Sequence, residues 1–451
     1  MEELSLYIVT FNCARNVIHR EQFSTHLLDV LPPSKAAPEL LVLNLQEVAP
    51  IGYAFLGGSF LAHYFDALNA AVNAAAQVRW TGGEVKYVNL VTHNSGLTAL
   101  LVFARSDVAG DIAWIDTAEV GVGVHEMGNK GAVGARLGYT TTGRANETVD
   151  LTFVAAHIAP MEDAYDQRNQ DWRSIVERLV FTNPDNTTQG VDAEEGRDDD
   201  VDEDAGLLLR GESSTRQSSM FTPRSHLFFA GDLNYRTSDS PPSPEDYARF
   251  PQPDAHFGDP IHHSQLFAKD QLTRELRAQN TLHGLSEAPI EFPPTYKYSS
   301  KAQKATLVGG DQARVWQWAK HRWPSWCDRI LYLDLPPWMK DSNHVNIHGY
   351  DALPLFSTSD HRAVALAVSV PLKPIPRPPS PSSTDDVRLH PPFSIDPNWK
   401  AKRATARTKE IIIGGLSYLA LTREGNGFLL AGTISLIGCW FVLQSLLLGD
   451  M

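Results

Sequence analysis

The chain has 451 residues, 43% of them hydrophobic, so it is long and apolar enough to bury a sizeable core. Its formal net charge of −14 disfavours non-specific nucleic-acid binding, which requires clustered positive charge, although a local basic pocket for a phosphorylated ligand is still allowed. The three cysteines, Cys13, Cys327 and Cys439, are far apart, which argues against a disulfide framework or a zinc site and favours a reducing compartment.

Apolar runs of strand length alternate with helical stretches over residues 1–371, which predicts one large mixed α/β domain. A helix is predicted over 55–78, where apolar residues return every three or four positions, and a second over 164–181. The predicted strands cover 4–11, 40–45, 85–91, 97–103, 112–120, 132–137, 151–156, 227–230, 328–333 and 363–370.

Two segments interrupt this pattern. Residues 183–221 are acidic and then Ser-rich, with ten acidic residues and one basic residue over 185–204, and they are predicted to be a disordered insertion. Residues 372–410 are predicted to be a linker, which is Pro- and Ser-rich and semi-extended to about residue 397 and then basic. The predicted order is therefore a domain over 1–371, a linker, and a membrane-associated tail over 411–451.

The tail contains an apolar run over 428–448, 21 residues without a charged side chain. Such a helix matches the hydrocarbon core of a bilayer, which is about 30 Å thick. Five basic residues precede it and suit a cytosolic flank: Lys400, Lys402, Arg403, Arg407 and Lys409. We predict a single membrane-spanning anchor; the alternative is a buried core helix, which rarely lacks a polar face over this length. The shorter apolar stretch 411–421 either lies at the membrane interface or forms half of a hairpin.

The most informative segment is 225–236, where an apolar run meets the sequence GDLNYR. Gly231 breaks the run, and Asp232 and Asn234 are expected at the strand mouth on the same side, because side chains in extended backbone repeat every two residues. A carboxylate and an amide so placed would position and activate a water between them. The alternative is an Asx turn that closes a hairpin.

Polar residues also follow the first two predicted strands. Asn12 and Glu47 end apolar runs, and Glu47 is a candidate magnesium ligand because Mg²⁺ prefers oxygen ligands and commonly takes one or two carboxylates. The alternative for Glu47 is a helix start. In MGNKGA (127–132), glycines surround Asn129 and Lys130, which would allow close backbone approach to a phosphate; a surface turn explains the segment about as well.

Two histidines end or precede strands. His157 follows the run FVAA, and His361 lies between Asp360 and a basic residue before the last strand. Asp328 could hold the imidazole of His361, which would fix its tautomer and favour its cationic form. The alternative for a single histidine at a strand end is a structural role.

Two further segments could bind a second phosphate. A rigid turn carries Tyr296 and Lys297, and the basic run 320–322 ends in Arg322. Each would otherwise be a solvated surface segment.

These segments, in this order, resemble the inositol polyphosphate 5-phosphatase family of the DNase I-like, endonuclease/exonuclease/phosphatase superfamily. The resemblance covers about residues 4–370 and is carried by FNCARN, LNLQEV, GNKGAVGARL, the strand ending in His157, GDLNYR, PPTYK, WCDRIL and SDHRAV. It implies a DNase I-like four-layer α/β/β/α sandwich and Mg²⁺-dependent removal of a 5-phosphate. The anchor makes the chain most similar to fungal tail-anchored phosphatidylinositol 4,5-bisphosphate 5-phosphatases of the endoplasmic reticulum.

The resemblance also implies residue roles. It places Glu47 and Asn12 at the metal, Asp232 with Asn234 at the attacking water, His361 supported by Asp328 at the phosphate, Asp360 on the metal side, His157 in the active site, and Asn129, Lys130, Tyr296, Lys297 and Arg322 at substrate phosphates. The chain departs from the family pattern at Phe11 (usually Trp), Ala132 (usually Gly) and Ala363 (usually Pro). No departure removes a charged catalytic group, but Ala132 puts the role of Lys130 most in doubt.

The resulting hypothesis is in-line hydrolysis of the 5-phosphate of phosphatidylinositol 4,5-bisphosphate by water, with Mg²⁺, at the cytosolic face of the endoplasmic reticulum membrane. No covalent intermediate is expected, because Cys327 does not begin a Cys-x5-Arg nucleophile loop. The alternatives are a phosphodiesterase of the same superfamily (an abasic endonuclease or a sphingomyelinase) or an inactive membrane-tethered adaptor. No nucleic-acid partner is expected, and the sequence does not indicate an oligomeric state.

Overall fold

The structure is a computed structural model that describes residues 3–82, 84–141, 147–182, 217–307, 316–339, 344–376, 378 and 385–448. Its strands are β1 (Glu3–Asn12), β2 (Leu40–Gln46), β3 (Tyr87–Ser95), β4 (Thr98–Arg105), β5 (Ile112–Gly121), β6 (Gly131–Thr140), β7 (Thr148–His157), β8 (Ser225–Asp232), β9 (Leu285–Glu287), β10 (Asp328–Leu333), β11 (Asn346–Ala352) and β12 (Val364–Pro371). Its α-helices are α1 (Arg20–His26), α2 (Ile51–Leu56), α3 (Ala62–Arg79), α4 (Tyr165–Arg178), α5 (His263–Phe267), α6 (Gln271–Arg277), α7 (Ser300–Leu307), α8 (Trp399–Leu421) and α9 (Arg423–Leu448).

The described strands form two six-stranded sheets. The first has the order β11-β12-β1-β2-β4-β3 and the second has the order β5-β6-β7-β8-β10-β9. Strands β1 and β2 are parallel, as are β7 and β8, and the other pairs are antiparallel. Both sheets are therefore mixed.

Alternation along the strands places apolar side chains on both faces of each sheet. Leu6 and Val42 of the first sheet share a core with Phe153 and Phe228 of the second, so the sheets pack face to face. On the outer face of the first sheet, side chains of α1 and α3 cover the apolar residues of β1, β2 and β4. On the outer face of the second sheet, Trp172 and its neighbours on α4 do the same. This α/β/β/α sandwich confirms the predicted fold class.

The predicted helix over 55–78 is interrupted. Gly57 and Gly58 both have positive φ, 72° and 58°, and they separate α2 from a short 3-10 turn and α3. Glycine adopts left-handed backbone readily, and such backbone ends an α-helix. The spacing of apolar residues is similar on both sides of the two glycines, so it predicts one helix where the structure has two.

Residues 217–221, the C-terminal end of the predicted disordered insertion, belong to the described part of the chain. Its acidic run lies in residues 183–216, outside the described residues. Ser218 forms a bridge with Phe181, and Met220 and Phe221 are buried against the second sheet. Two large apolar side chains explain why this end packs.

The predicted linker also differs from expectation. Residues 377 and 379–384 lie outside the described part of the chain, but Val387 and Phe393 pack against the core beside the second sheet. From Trp399 the basic segment and the short apolar stretch 411–421 form one continuous helix, α8, docked on α2. The sequence reason is a stripe of Ala406, Glu410 and Gly414, four residues apart and buried on one helix face.

Helix α9 is long and apolar enough to cross a membrane over Arg423–Leu447, judged by length and composition. Its most apolar window is entirely exposed in this structure, which distinguishes it from the core helix that was the alternative. A single such helix is modest support for the predicted anchor.

Candidate active site

Strand register brings the predicted residues of the second sheet to one edge. His157 ends β7 directly beside Asp232, which ends the parallel strand β8, and Asp328 begins the antiparallel strand β10 directly opposite Asp232. Asn12 ends β1 in the other sheet and reaches Asp232 across the sandwich. Residues more than 200 positions apart therefore meet at the mouth of the sandwich.

Asp232 is the centre of this group. Its Oδ2 accepts a hydrogen bond from Asn12 Nδ2 at 2.9 Å and lies 3.2 Å from Nε2 of His157. The carboxylate is almost fully buried, which would raise its pKa, but the His157 contact and the positive charges of His361 and Lys130 together hold the pKa well below its usual range. Asp232 is therefore an anion throughout the physiological range.

His361 faces Asp232 as a cation. Its Nδ1 lies 2.9 Å from Oδ2 of Asp328, which also accepts a hydrogen bond from Thr295 Oγ1 at 2.7 Å. Burial lowers the pKa of His361, but Asp328 and Asp232 outweigh it and raise the pKa to about 9. Burial raises the pKa of Asp328, with His361 opposing. The predicted partnership of Asp328 and His361 is present in the structure.

The same edge offers oxygen ligands. Donor atoms of Asp232, Asp328 and His361 lie within 4.8 Å of one another, and Oδ1 of Asp328 is buried without a hydrogen-bond partner among the described residues. Glu47 follows β2 at positive φ and pairs with Arg15 at 2.9 Å. The carboxylate oxygens of Asp232 and Asp328 are ligands that suit a hard cation such as Mg²⁺ or Ca²⁺.

Glu47 is not part of that compact group, but its charge reaches the site. Burial lowers the pKa of Lys130 to about 8 and lowers the pKa of His157, and in both cases Glu47 is among the negative charges that oppose the shift.

Lys130 reaches the site from the loop before β6. Its Nζ contacts Nε2 of His157, so the ammonium group lies beside the histidine that holds Asp232. The amide oxygen of Asn129 is buried without a partner among the described residues. The structure therefore places Lys130 beside the Asp232 group, and its role at a substrate phosphate stays a prediction.

Asn234 does not do what strand alternation predicts. Strand β8 ends at Asp232, and Asn234 has φ 55°, so the two-residue repeat does not extend to it. Its side chain accepts from Arg236 Nη2 at 2.6 Å and donates to the carbonyl of Ile158 at 3.2 Å. Its backbone N–H donates to Asp232 Oδ1 at 3.1 Å, which is the Asx turn. Asn234 therefore shapes the turn that aims Asp232.

The predicted second-phosphate residues divide into two groups. The centres of the Tyr296 and His361 rings are 4.4 Å apart, and Lys297 forms an ion pair with Asp360, so these residues adjoin the site. Arg322 forms a salt bridge with Glu162 at 3.0 Å, and the structure gives it no contact with the Asp232 group.

Sequence reasoning missed Arg236 and Thr295. Arg236 is buried, its guanidinium lies 4.5 Å from the Tyr296 ring centre, and one terminal nitrogen has no partner among the described residues. Thr295 anchors Asp328. Both lie in quoted motifs, GDLNYR and PPTYK, so the signal was their adjacency to residues already chosen.

A family model described as "Endonuclease/Exonuclease/phosphatase family 2" matches residues 9–367, which include every element of both sheets in whole or in part. The chain belongs to this family. Within it, the curated relatives are inositol polyphosphate 5-phosphatases, which confirms the resemblance drawn from the motifs.

Two of these relatives illustrate the likeness. "Type II inositol polyphosphate 5-phosphatase 15" of Arabidopsis thaliana is 31% identical over 278 residues, 60% of this chain and 23% of that protein. "Inositol-1,4,5-trisphosphate 5-phosphatase 1" of Schizosaccharomyces pombe is 29% identical over 280 residues, 62% of this chain and 19% of that protein. The chain thus spans about a quarter or less of the length of these relatives.

A solved structure supports the fold of this endonuclease/exonuclease/phosphatase family member. The inositol polyphosphate 5-phosphatase domain of SPsynaptojanin, crystallised with inositol (1,4)-bisphosphate and calcium ion, matches with a TM-score of 0.53 and 22% identity. The match covers 82% of this chain and 84% of that one. At this identity the likeness concerns architecture, and it agrees with the two packed sheets described above.

Proposed function

We propose that the chain is a Mg²⁺-dependent phosphatase that hydrolyses the 5-phosphate of phosphatidylinositol 4,5-bisphosphate to give phosphatidylinositol 4-phosphate. The observation that carries the proposal is the pairing, at one buried edge, of an anionic Asp232 with a cationic His361 and with Lys130. This combination can orient a water and neutralise a phosphate in the same cleft.

Asp232 is the residue that orients the water. Three groups hold its carboxylate: the side chains of Asn12 and His157, and the backbone N–H of Asn234. Because its pKa is held low, the carboxylate is a weak base, and its larger contribution is to fix the water in line with the scissile bond. The second lone pairs of its oxygens are the acceptors for that water.

Three cations face the phosphate. His361 is charged at neutral pH because Asp328 raises its pKa, and Lys130, with a pKa of about 8, is largely charged and is stabilised in that form when a dianion enters. Arg236 adds a permanent charge behind Tyr296. Mg²⁺ held by Glu47 and Asn12 would supply Lewis-acid stabilisation of the phosphoryl and leaving oxygens.

The 4-phosphate of the substrate requires its own cation. Lys297 is next to the site, and its ion pair with Asp360 keeps its side chain near Tyr296. A phosphate dianion competes with a single carboxylate for this ammonium group, so we assign Lys297 to the second phosphate. Arg322 is a weaker candidate because Glu162 already neutralises it.

The apolar helix α9 supports a membrane location. We propose that α9 anchors the domain in the endoplasmic reticulum membrane with the catalytic domain in the cytosol, where phosphoinositide head-groups are accessible. A fluorescent reporter fused to residues 400–451 tests the location: co-localisation with an endoplasmic reticulum marker supports it, and a mitochondrial or peroxisomal pattern contradicts it.

The activity is tested by measuring phosphate release with Mg²⁺ and with EDTA on three substrates: vesicles containing phosphatidylinositol 4,5-bisphosphate, soluble inositol 1,4,5-trisphosphate, and DNA with an abasic site. We expect Mg²⁺-dependent release of the 5-phosphate from the lipid. Cleavage of the DNA with no release from either inositol substrate would overturn the proposal in favour of a phosphodiesterase. Inactivity on all three would favour the adaptor.

A further inference from the structure

Helix α8 joins the catalytic domain through a buried charge. The side chain of Glu410 is fully buried where α8 meets the domain. Its carboxylate lies 2.9 Å from Arg403 and 3.3 Å from Arg407 on the same helix. Its Oε1 also accepts a hydrogen bond at 2.8 Å from the backbone N–H of Gly128. A buried carboxylate is costly unless it is paired and hydrogen-bonded, and here it is both.

Gly128 lies in the loop between β5 and β6, residues 122–130, which also carries Asn129 and Lys130. Its carbonyl accepts a hydrogen bond from the N–H of Leu97 at 2.8 Å, and its N–H donates to Glu410, so the same residue is held through both of its backbone polar groups. A Cβ at this position would lie 2.9 Å from the backbone nitrogen of Gly96, which leaves no room for a larger residue. The loop is therefore clamped between α8 and the β3–β4 turn.

The clamped residue, Gly128, is close in sequence to a residue of the proposed active site. Lys130 follows Gly128 by two positions, and its Nζ contacts His157, which in turn lies 3.2 Å from Asp232. The carbonyl of Lys130 is fixed by the N–H of Val122 at 2.9 Å. A small displacement of the Gly128 peptide therefore moves the ammonium group that faces the phosphate.

Two further contacts bind α8 to the same region. Arg403 forms a salt bridge at 2.6 Å with Glu119, which lies near the end of β5 just before the loop. Lys402 approaches Glu126 within the loop at 3.9 Å. Helix α8 thus contacts the strand that leads into the loop, the loop itself, and the peptide before Asn129.

We infer that Glu410 is a positioning residue for the Asn129–Lys130 loop, so that α8 completes the active site as well as connecting the domain to α9. This inference rests on the proposed function for its kinetic part, because it assigns Glu410 an effect on phosphate hydrolysis through Lys130. The segment after the sandwich is then part of the catalytic unit.

Turnover of soluble inositol 1,4,5-trisphosphate tests the inference without any contribution from the membrane. We expect Glu410→Ala to lower kcat about 10-fold or more, and Glu410→Gln to retain most of the activity because its amide oxygen still accepts from Gly128. Glu424→Gln is the matched control: Glu424 is an exposed glutamate near the start of α9, and it accepts a hydrogen bond from the hydroxyl of Tyr53 on α2. Equal activity of the wild type and Glu410→Ala would overturn the inference.

A double-variant comparison separates positioning from general destabilisation. If Glu410 acts through Lys130, then Glu410→Ala should cost little in a Lys130→Ala background, whereas an unrelated loss of stability would lower kcat by the same factor in both backgrounds. Full additivity would contradict the inference.

Hydrogen exchange gives a readout that does not depend on phosphatase activity. In the full-length protein, Glu410→Ala should speed exchange of the backbone amides of 122–130 and leave those of β1 and β2 unchanged. If the wild type releases no phosphate but this local change occurs, the proposed function fails and the coupling of α8 to the loop stands. If the protein is an active phosphatase and no local change occurs, the inference alone fails.

Discussion

Asp232 and Asp328 are directly opposed residues on two antiparallel strands, both buried, yet their pKa values shift in opposite directions. Burial raises both, but Asp232 has His157, His361 and Lys130 against it and is driven below its usual range, while burial prevails at Asp328. Two carboxylates can lie this close together because the positive charge of His361 attracts both of them. In the proposed mechanism Asp232 orients the water, and Asp328 holds the histidine.

Replacement of Asp232 by Asn should lower kcat by about 10²- to 10⁴-fold, because the amide cannot match the carboxylate in orienting and polarising a water. The exposed residue Asp254 gives the matched control, and Asp254→Asn should keep wild-type kcat. Release of the 5-phosphate is the measurement, with circular dichroism to establish that both variants fold. Wild-type activity in Asp232→Asn would refute its role.

The ion pair of His361 and Asp328 should make stability depend on pH. A histidine whose pKa rises from 6.5 unfolded to about 9 folded stabilises the protein fully below pH 6.5, and this stabilisation is lost as the pH rises through about 9. The contribution is on the order of 3 kcal/mol. In EDTA, the difference in unfolding free energy between the wild type and His361→Asn should therefore shrink from pH 6.5 to pH 9.5.

Urea unfolding across that pH range measures the difference. His63→Asn, at an exposed histidine, is the control and should follow the wild-type curve. A gap between wild type and His361→Asn that is constant or widens with pH would show that His361 is not a buried cation.

Metal removal should abolish the reaction, and Mg²⁺ should restore it. Glu47→Gln should raise the Mg²⁺ concentration needed for half-maximal activity about 10-fold or more, because one carboxylate of a hard-cation site is lost. Glu84→Gln, at a highly exposed glutamate that pairs weakly with Lys86, is the matched control. An unchanged Mg²⁺ requirement in Glu47→Gln would remove Glu47 from the metal site.

Removal of residues 422–451 should separate membrane effects from catalysis. Anchoring raises the local concentration of enzyme at lipid, so turnover on vesicles should fall while turnover of soluble inositol 1,4,5-trisphosphate is retained, because α8 and Glu410 remain. Removal of 399–451 should lower both. An equal loss on both substrates after the shorter truncation would count against an anchoring role for α9.

Several site residues could be chosen from sequence because local chemistry identifies them. Asp232, His157 and His361 each adjoin an apolar run. An ionisable group next to a buried strand is expected at the end of that strand, where the sheet meets solvent. The contacts that these residues make with one another could not be predicted in the same way. They depend on strand order, and β8 lies between β7 and β10, which are separated from it by long stretches of chain.

The failures have equally local causes. The two-residue repeat was applied to Asn234 one step beyond the end of β8, where the backbone turns to positive φ. Residues 399–410 are predicted from the sequence to be the basic end of a linker, but they form the first half of the docked helix α8. Only the docked helix reveals that Arg403 and Arg407 are partners of a buried glutamate.

The sequence by itself determined the α/β class, the apolar helix α9 and the identities of the acidic, basic and amide groups, because periodicity, length and side-chain chemistry are local properties. Tertiary structure alone decided which hydrogen-bond partners each group has, in which direction the pKa of each buried carboxyl shifts, and that Glu410 reaches the loop before Lys130. Those properties arise from burial and from distances between residues remote in the chain, which no short window of sequence contains.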